Sequence, residues 1–201
     1  MNTRPDPILL DLPASLETER LVLRVPRPGD GPVVYEGVRE SLEMLRPWMI
    51  WAQGEQSVAS AETFAREAAV QFLRREAMPL LIFGRLDGRF IGGHGINRMD
   101  WDVPAFEIGY WVRASEAGKG YITEATRAVT DFCFATLGAA RVAIRCDARN
   151  RRSAAVAERC GFTLEVRLRR WARDARGELA DHLVYSMIRS EWEAHQRPGQ
   201  P

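Results

Sequence analysis

The run Glu107-Ile108-Gly109-Tyr110-Trp111-Val112, followed shortly by Gly118-Lys119-Gly120-Tyr121-Ile122-Thr123-Glu124-Ala125, leaves this chain few ways to fold. It reads as a strand, a glycine-spaced turn and the first turn of a helix. Phe106, Ile108, Tyr110 and Val112 fall on one face of the strand, and Glu107, Gly109 and Trp111 on the other. Ile122, Ala125, Thr126, Val129, Phe132, Cys133 and Leu137 recur at helical spacing, and Gly138 is a helix stop. Glycines let backbone approach a ligand, and the free N–H groups of a helix start point at it. The turn is therefore an anion site suited to a diphosphate. It is not a P-loop, because Lys119 precedes Gly120 and no Lys-Ser or Lys-Thr pair follows. It is not a dinucleotide fingerprint either, since Thr123 stands where a third glycine is needed.

Around this unit the sequence is ordinary for one medium domain. With 201 residues, 46% hydrophobic and 27% charged, it has enough chain for a sizeable core. A net charge of +1 supplies no global field for nucleic acid or membrane. Cys133, Cys146 and Cys160 suit small core positions. They and the dispersed His94, His182 and His195 give no metal spacing. The start, Met1-Asn2-Thr3-Arg4-Pro5-Asp6, lacks an apolar signal core, which points to the cytoplasm. Loose ends are expected at Thr3 to Pro7 and Arg197 to Pro201.

Leu21 to Val25 reads as a first strand. Pro26-Arg27-Pro28-Gly29-Asp30 is a breaker before a helix over 32–45, with Asp30 as its cap. Trp48 and Trp51 fall in the next loop. Ser57 starts a helix with Ala61, Phe64, Ala65, Ala68 and Phe72 on one face. Leu80 to Phe83 and Phe90-Ile91 flank the hairpin signal Asp87-Gly88, the second strand running on towards Ile96 or Met99. A strand at Val142, a short helix over 153–159, and strands over 162–171 and 179–188 around Asp174-Ala175-Arg176-Gly177 complete the order. Helices alternate with the central strands while the ends pair as hairpins. The class is α+β, a mixed and mainly antiparallel twisted sheet with helices on both faces.

The combination EIGYW, GKGY-x-TEA, D-x-x-N-x-x-S (Asp147, Asn150, Ser153) and Gly161-Phe162 resembles the GNAT acyltransferase superfamily, in its RimJ/RimL-like branch. Glu19-Arg20-Leu21-Val22-Leu23-Arg24 is similar to that branch's first strand, and Arg46-Pro47-Trp48-Met49-Ile50-Trp51 to its acceptor-side loop. On the family motif Q/R-x-x-G-x-G/A, the positions are Ala117, Gly120 and Ile122, and only the glycine matches. The resemblance implies one GNAT domain over 17–192, with an extension over 1–16 and a tail over 193–201. It implies a parallel pair of strands, at Glu107 and Val142, splayed to admit a pantetheine arm. It also implies acetyl-CoA as co-substrate, with no metal. Gly118, Lys119, Gly120, Tyr121, Ile122 and Thr123 would hold the diphosphate. Tyr110, Trp111, Val112, Asn150, Arg152 and Ser153 would hold the rest.

Acyl transfer to an amine needs a base, an oxyanion site and a hydrogen bond for the departing thiolate. Glu107, an acid in an apolar strand, is the candidate base through water; the bland alternative is an ion pair with an arginine. Backbone N–H near Trp111 and Val112 is the expected oxyanion donor. Ser153 is the candidate acid, or a cap; Tyr185 is a second acid, or a packed strand residue. Trp48, Trp51, His94 and Trp101 are candidates for the acceptor mouth. The arginine-rich stretch after Arg149 is a solvated basic face, a phosphate partner at Arg151 or Arg152, or a contact for an acidic acceptor. The leading reading is acetyl transfer to a protein N-terminal amine. A small amine acceptor, a succinyl donor and a non-catalytic acyl-CoA sensor or scaffold stay open. A second copy of the chain is a further candidate partner.

Overall fold

The computed structural model describes residues 6–174 and 176–196. The ends expected to be loose at 3–5 and 197–201, and Ala175 of the last turn, lie outside the described residues. The elements are β1 Ser15–Glu17, β2 Leu21–Arg24, α1 Gly31–Leu45, α2 Val58–Leu73, β3 Met78–Gly84, β4 Phe90–Asp100, β5 Ala105–Val112, α3 Tyr121–Ala135, β6 Arg141–Asp147, α4 Arg151–Arg159, β7 Thr163–Arg173, β8 Leu179–Ile188 and α5 Arg189–Gln196. One sheet holds the strands in the order β1-β2-β3-β4-β5-β6-β8-β7. Every pairing is antiparallel except β5 with β6. That parallel pair runs only from Ala105↔Arg141 to Ile108↔Ile144. Beyond it the two strands part, as the resemblance implies.

Helices cover both faces, as the alternation of elements requires. On one, Val34 and Val38 of α1 pack with Leu81 and Phe90, and Trp111 joins them. On the other, Ile122, Ala125, Val129, Phe132 and Cys133 of α3 pack with Phe106, Ile108, Val142 and Ile144 in the main core. The helical spacing read from the sequence is the buried stripe of α3. Beyond it, α5 lies against α3 with Trp192 stacked on Phe134 at 5.4 Å. The sequence reading did not mark α5, because no glycine or proline separates it from β8. Its start is held instead by Glu191, whose carboxylate accepts from the Ile188 N–H at 2.9 Å.

Three local details differ from the sequence reading. Asp30 precedes α1 but makes no side-chain cap. Its oxygens are taken by Arg24, at 2.7 Å each, and by the Arg27 N–H at 2.6 Å. The free N–H of Gly31 is met instead by Glu62 of α2, at 3.1 Å. Ser57 does cap α2, in a reciprocal pair with Ser60. Phe64, expected to face inward, is exposed, while Ala65, Ala68 and Phe72 carry the buried face. The short helix α4 begins two residues early, at Arg151, because Asn150 caps it through the Ser153 N–H.

The Arg24–Asp30 pair ties β2 to the start of α1 and sets a pH dependence. Burial pushes the Asp30 carboxyl up, but the hydrogen bonds from Arg24 and Arg27 and their charges outweigh it. The folded-state pKa therefore lies below the usual aspartate value. Such a group stabilises the fold above its unfolded pKa of about 3.9, and that contribution fades as pH falls through the folded value. Asp30→Asn should cost about 2 kcal/mol at neutral pH, the range for hydrogen bonds to a charged group. Urea melts should also show a smaller loss of stability below about pH 4 than in the parent chain.

Candidate active site

The opening between β5 and β6 is built by alternation. The Arg113 N–H donates to the Ile91 carbonyl at 2.8 Å, so in the antiparallel pair with β4 residues 113, 111 and 109 turn their backbone groups to β4. Tyr110 and Val112 turn theirs the other way, past the last β6 pairing at Ile108. Of the expected donors, Val112 faces the opening and the Trp111 N–H faces β4. Tyr110 is the second backbone donor at the opening.

At the top of β5 the glycine turn takes the form that an anion cradle needs. Gly118 and Gly120 have φ of 79° and 81°, and Gly120 is the N-cap of α3. Among the described residues, the amides of Gly118, Lys119 and Gly120 donate to no protein acceptor. Those of Tyr121, Ile122 and Thr123 are free as first-turn amides. Side chains here do other work. Ile122 is buried in the core. Lys119 is held by Glu116 at 3.0 Å, and the Tyr121 hydroxyl accepts from Arg89 at 2.9 Å. Arg20, which the sequence reading did not place here, donates to the Lys119 carbonyl at 3.1 Å and stacks on Tyr121 at 4.7 Å. No local signal could have placed it, since it comes from the other end of the sheet.

On the α3–α4 face of the opening stand Tyr110 and Ser153. The Ser153 hydroxyl donates to the Tyr110 oxygen at 3.2 Å, and the Tyr110 hydroxyl donates to the Ser153 carbonyl at 3.0 Å. Burial pushes the Tyr110 phenol well up, so it keeps its proton. Asn150 uses its side-chain oxygen to cap α4, accepting from the Ser153 N–H at 3.1 Å. Arg152 is exposed on the same helix. His94 lies on this face too. Its Nδ1 accepts from the Gly95 N–H at 2.8 Å, so Nε2 carries the proton towards Thr126 Oγ1 at 3.2 Å. Burial lowers its pKa to about 3. It is a neutral packing partner of the Tyr110 ring, its Nε2 turned to Thr126 of α3, and it also lines the cleft described below. Tyr185 lies elsewhere. It is buried, its hydroxyl donates to Glu158 at 2.9 Å, and its pKa is raised to about 12, first by burial. It does not line the cleft.

The other face opens as a cleft of about 760 Å³, which the splay joins to Tyr110 and Ser153. Trp48, Trp51 and Trp111 wall it, with Trp51 edge-on to Trp111 at 6.0 Å. Trp111 can lie there because Gly93 opposite has no side chain; a Cβ at Gly93 would meet the indole nitrogen. Glu107 opens into this cleft, and its Oε1 accepts from Arg145 at 3.1 Å. The ion pair expected as the bland reading is thus present, and Oε2 has no protein donor among the described residues. Arg145 follows from register: Glu107 pairs with Ala143, and two residues on return to the same face. His182 also lines the cleft, and its pKa is lowered, chiefly by burial. Trp101 does not belong there. Its indole donates to the Arg75 carbonyl at 2.9 Å, and its ring packs on Phe106 at 5.3 Å, away from the splay. No helix among the described residues is long and apolar enough to cross a membrane.

Residues 20–163 match the acetyltransferase (GNAT) domain family. A Bacillus subtilis (strain 168) protein named "Putative ribosomal N-acetyltransferase YdaF" is 33% identical over 181 residues, 87% of this chain and 94% of its own. The ribosomal-protein-serine acetyltransferase of Escherichia coli (strain K12) is 28% identical over 132 residues, 66% of this chain and 73% of its own. Among solved structures, RimL, a ribosomal L7/L12 alpha-N-protein acetyltransferase in complex with coenzyme A, superposes with a TM-score of 0.79 at 26% identity. That match covers 85% of this chain and 95% of that one.

The turn generates a direct test. At 100 times its Kd, coenzyme A should stabilise the chain by about 2.7 kcal/mol. Gly120→Val puts a β-branched residue at a φ of 81° and beside the free amides. A variant with parental far-UV circular dichroism should show no thermal shift with the coenzyme. An undiminished shift would remove the diphosphate from this turn.

Proposed function

Because the chain belongs to the GNAT family and is an acetyl-CoA-dependent N-acetyltransferase, we propose that its acceptor is a protein N-terminal α-amine. Donor and acceptor are bound together, and the amine attacks the thioester directly. The observation that carries this reading is the two-sided opening. Glu107 stands in the open aromatic cleft on one face, while Tyr110 and Ser153 stand on the other. The names of two curated relatives, "Putative ribosomal N-acetyltransferase YdaF" and "Ribosomal-protein-serine acetyltransferase", favour a protein acceptor and with it a cytoplasmic reaction.

The α-amine, with a pKa near 8, must lose a proton to attack. Glu107 accepts it through a water, using the oxygen that Arg145 leaves free. Carbon–nitrogen bond formation places negative charge on the former thioester oxygen. The backbone N–H groups of Tyr110 and Val112, fixed by β5, stabilise it without reorganising. Collapse breaks the carbon–sulfur bond while Ser153 turns its hydroxyl from the Tyr110 oxygen to the departing sulfur, and the second proton of the attacking nitrogen passes to the thiolate through that hydroxyl or solvent, leaving the amide and the free thiol. The diphosphate rests on the amides from Gly118 to Thr123, with Asn150 and Arg152 near the arm.

A panel of N-terminal peptides, lysine peptides and small amines, read by thiol release, tests the acceptor. Turnover is expected on N-terminal peptides, and turnover confined to small amines would overturn the reading. Glu107→Gln should lower kcat/KM by about 10² to 10⁴, with coenzyme binding intact. A loss under about threefold would reduce Glu107 to the partner of Arg145.

Ser153→Ala should lower kcat and kcat/KM together by about 10- to 100-fold, with acetyl-CoA affinity unchanged. Reduced affinity at constant kcat would instead make Ser153 a binding residue.

A further inference from the structure

Between Arg141 and Asp181 the chain holds eleven arginines against six aspartates and glutamates, although its net charge is only +1. The fold gathers much of that excess on one edge. β7 ends the strand order, and its side chains are exposed along nearly its whole length. Three of the carboxylates around it are already engaged. Glu165 holds Arg141, Asp174 holds Arg149, and Asp181 holds Arg167 and the Arg170 N–H. Arg169, Arg170 and Arg173 form no side-chain salt bridge among the described residues, although Arg169 feels the charge of Asp181.

Positive charge on an edge strand can serve only to prevent sheet-to-sheet pairing. Two observations ask for more. Trp171 is 53% exposed among these arginines, with Leu164 and Val166 exposed further along. Tryptophan and arginine are the residues that dominate protein interfaces. The edge is also continuous with the acceptor cleft, which Ala172, Arg173 and Asp174 help to line together with Glu107. On the cleft's other rim stands exposed Glu55. An acidic chain leaving the cleft is repelled there and drawn to β7.

We propose that the β7 edge around Arg169, Arg170 and Trp171 docks an acidic segment of the acceptor protein, lying behind the amine that is acetylated. This rests on the protein-acceptor reading above. Side chains carry the recognition. Bulges at Leu164/Val166 and Leu168/Ala172, and a φ of 51° at Arg170, interrupt the edge that an added strand would need. A second copy of the chain is a poor occupant, since it would set these arginines against their own kind.

The test uses two peptides that share their first four residues, beginning with serine. One continues with Asp and Glu, the other with Asn and Gln. At low salt the acidic peptide should have about a tenfold higher kcat/KM, and about 0.5 M salt should erase the difference. Arg169→Glu combined with Arg170→Glu should abolish the preference, while kcat on the neutral peptide and the acetyl-CoA thermal shift stay at parental values. The double lysine variant should retain it. Equal kcat/KM for the two peptides, or a preference that survives charge reversal, overturns the proposal. So does salt-sensitive self-association that the double glutamate variant loses while peptide preference is absent. Anisotropy of a labelled acidic peptide separates this inference from its premise. Salt-sensitive binding lost in the double glutamate variant, with no turnover of either peptide, keeps the docking surface and discards the protein acceptor.

Discussion

The site depends on one failure of pairing. β5 and β6 share a parallel ladder only as far as Ile108 and Ile144, yet both strands continue, each held on its outer side by another strand. Backbone groups turned into a part-buried gap must find partners. A ligand that is itself a chain of amides would meet that need, which is why the proposed coenzyme site falls at the fold's main irregularity. β4 and β8 fix the two strands from outside.

The same splay sorts the chemistry by face. Strand alternation sends Glu107 and Trp111 towards α1 and α2, and Tyr110 towards α3 and α4. The proposed base and the proposed leaving-group partner thereby reach one opening from opposite sides without meeting. Two buried groups near it are kept from titrating near neutrality. His94 is held neutral by burial, and Tyr110 is held protonated by burial. Neither would compete with the proposed base for the acceptor's proton. Tyr110 supplies an acceptor for the Ser153 hydroxyl.

Legibility in the sequence followed the range of each signal. The strand, turn and helix from Glu107 to Leu137 were readable because periodicity and glycine are local. So was the hairpin at Asp87-Gly88. The Asp30 cap was misread because its competitors, Arg24 and the Glu62 carboxylate, arrive through packing. Trp101 and Tyr185 show the limit for site residues. A loop tryptophan or a strand tyrosine carries no sign of where its polar atom goes, and the partners Arg75 and Glu158 decide it. Arg20 lies a hundred positions from the glycine turn that it braces. The face occupied by Arg145 was predictable once the register with Glu107 was known, but register across a parallel pair is not a local property.

The departures at Ala117 and Ile122 from the family's motif follow from where those residues sit. Ile122 is buried in the main core, so a small residue there would open a cavity rather than aid a ligand. Ala117 ends a short turn whose carboxylate, Glu116, is already shared by Lys119 and Arg89. Under the proposed reading an anion would rest on backbone, a row of amides whose direction is set by the φ of Gly118 and Gly120 and by the start of α3. Such a cradle would not need the motif's polar side chains. It would need the glycines, since the left-handed backbone at those positions aims the amides.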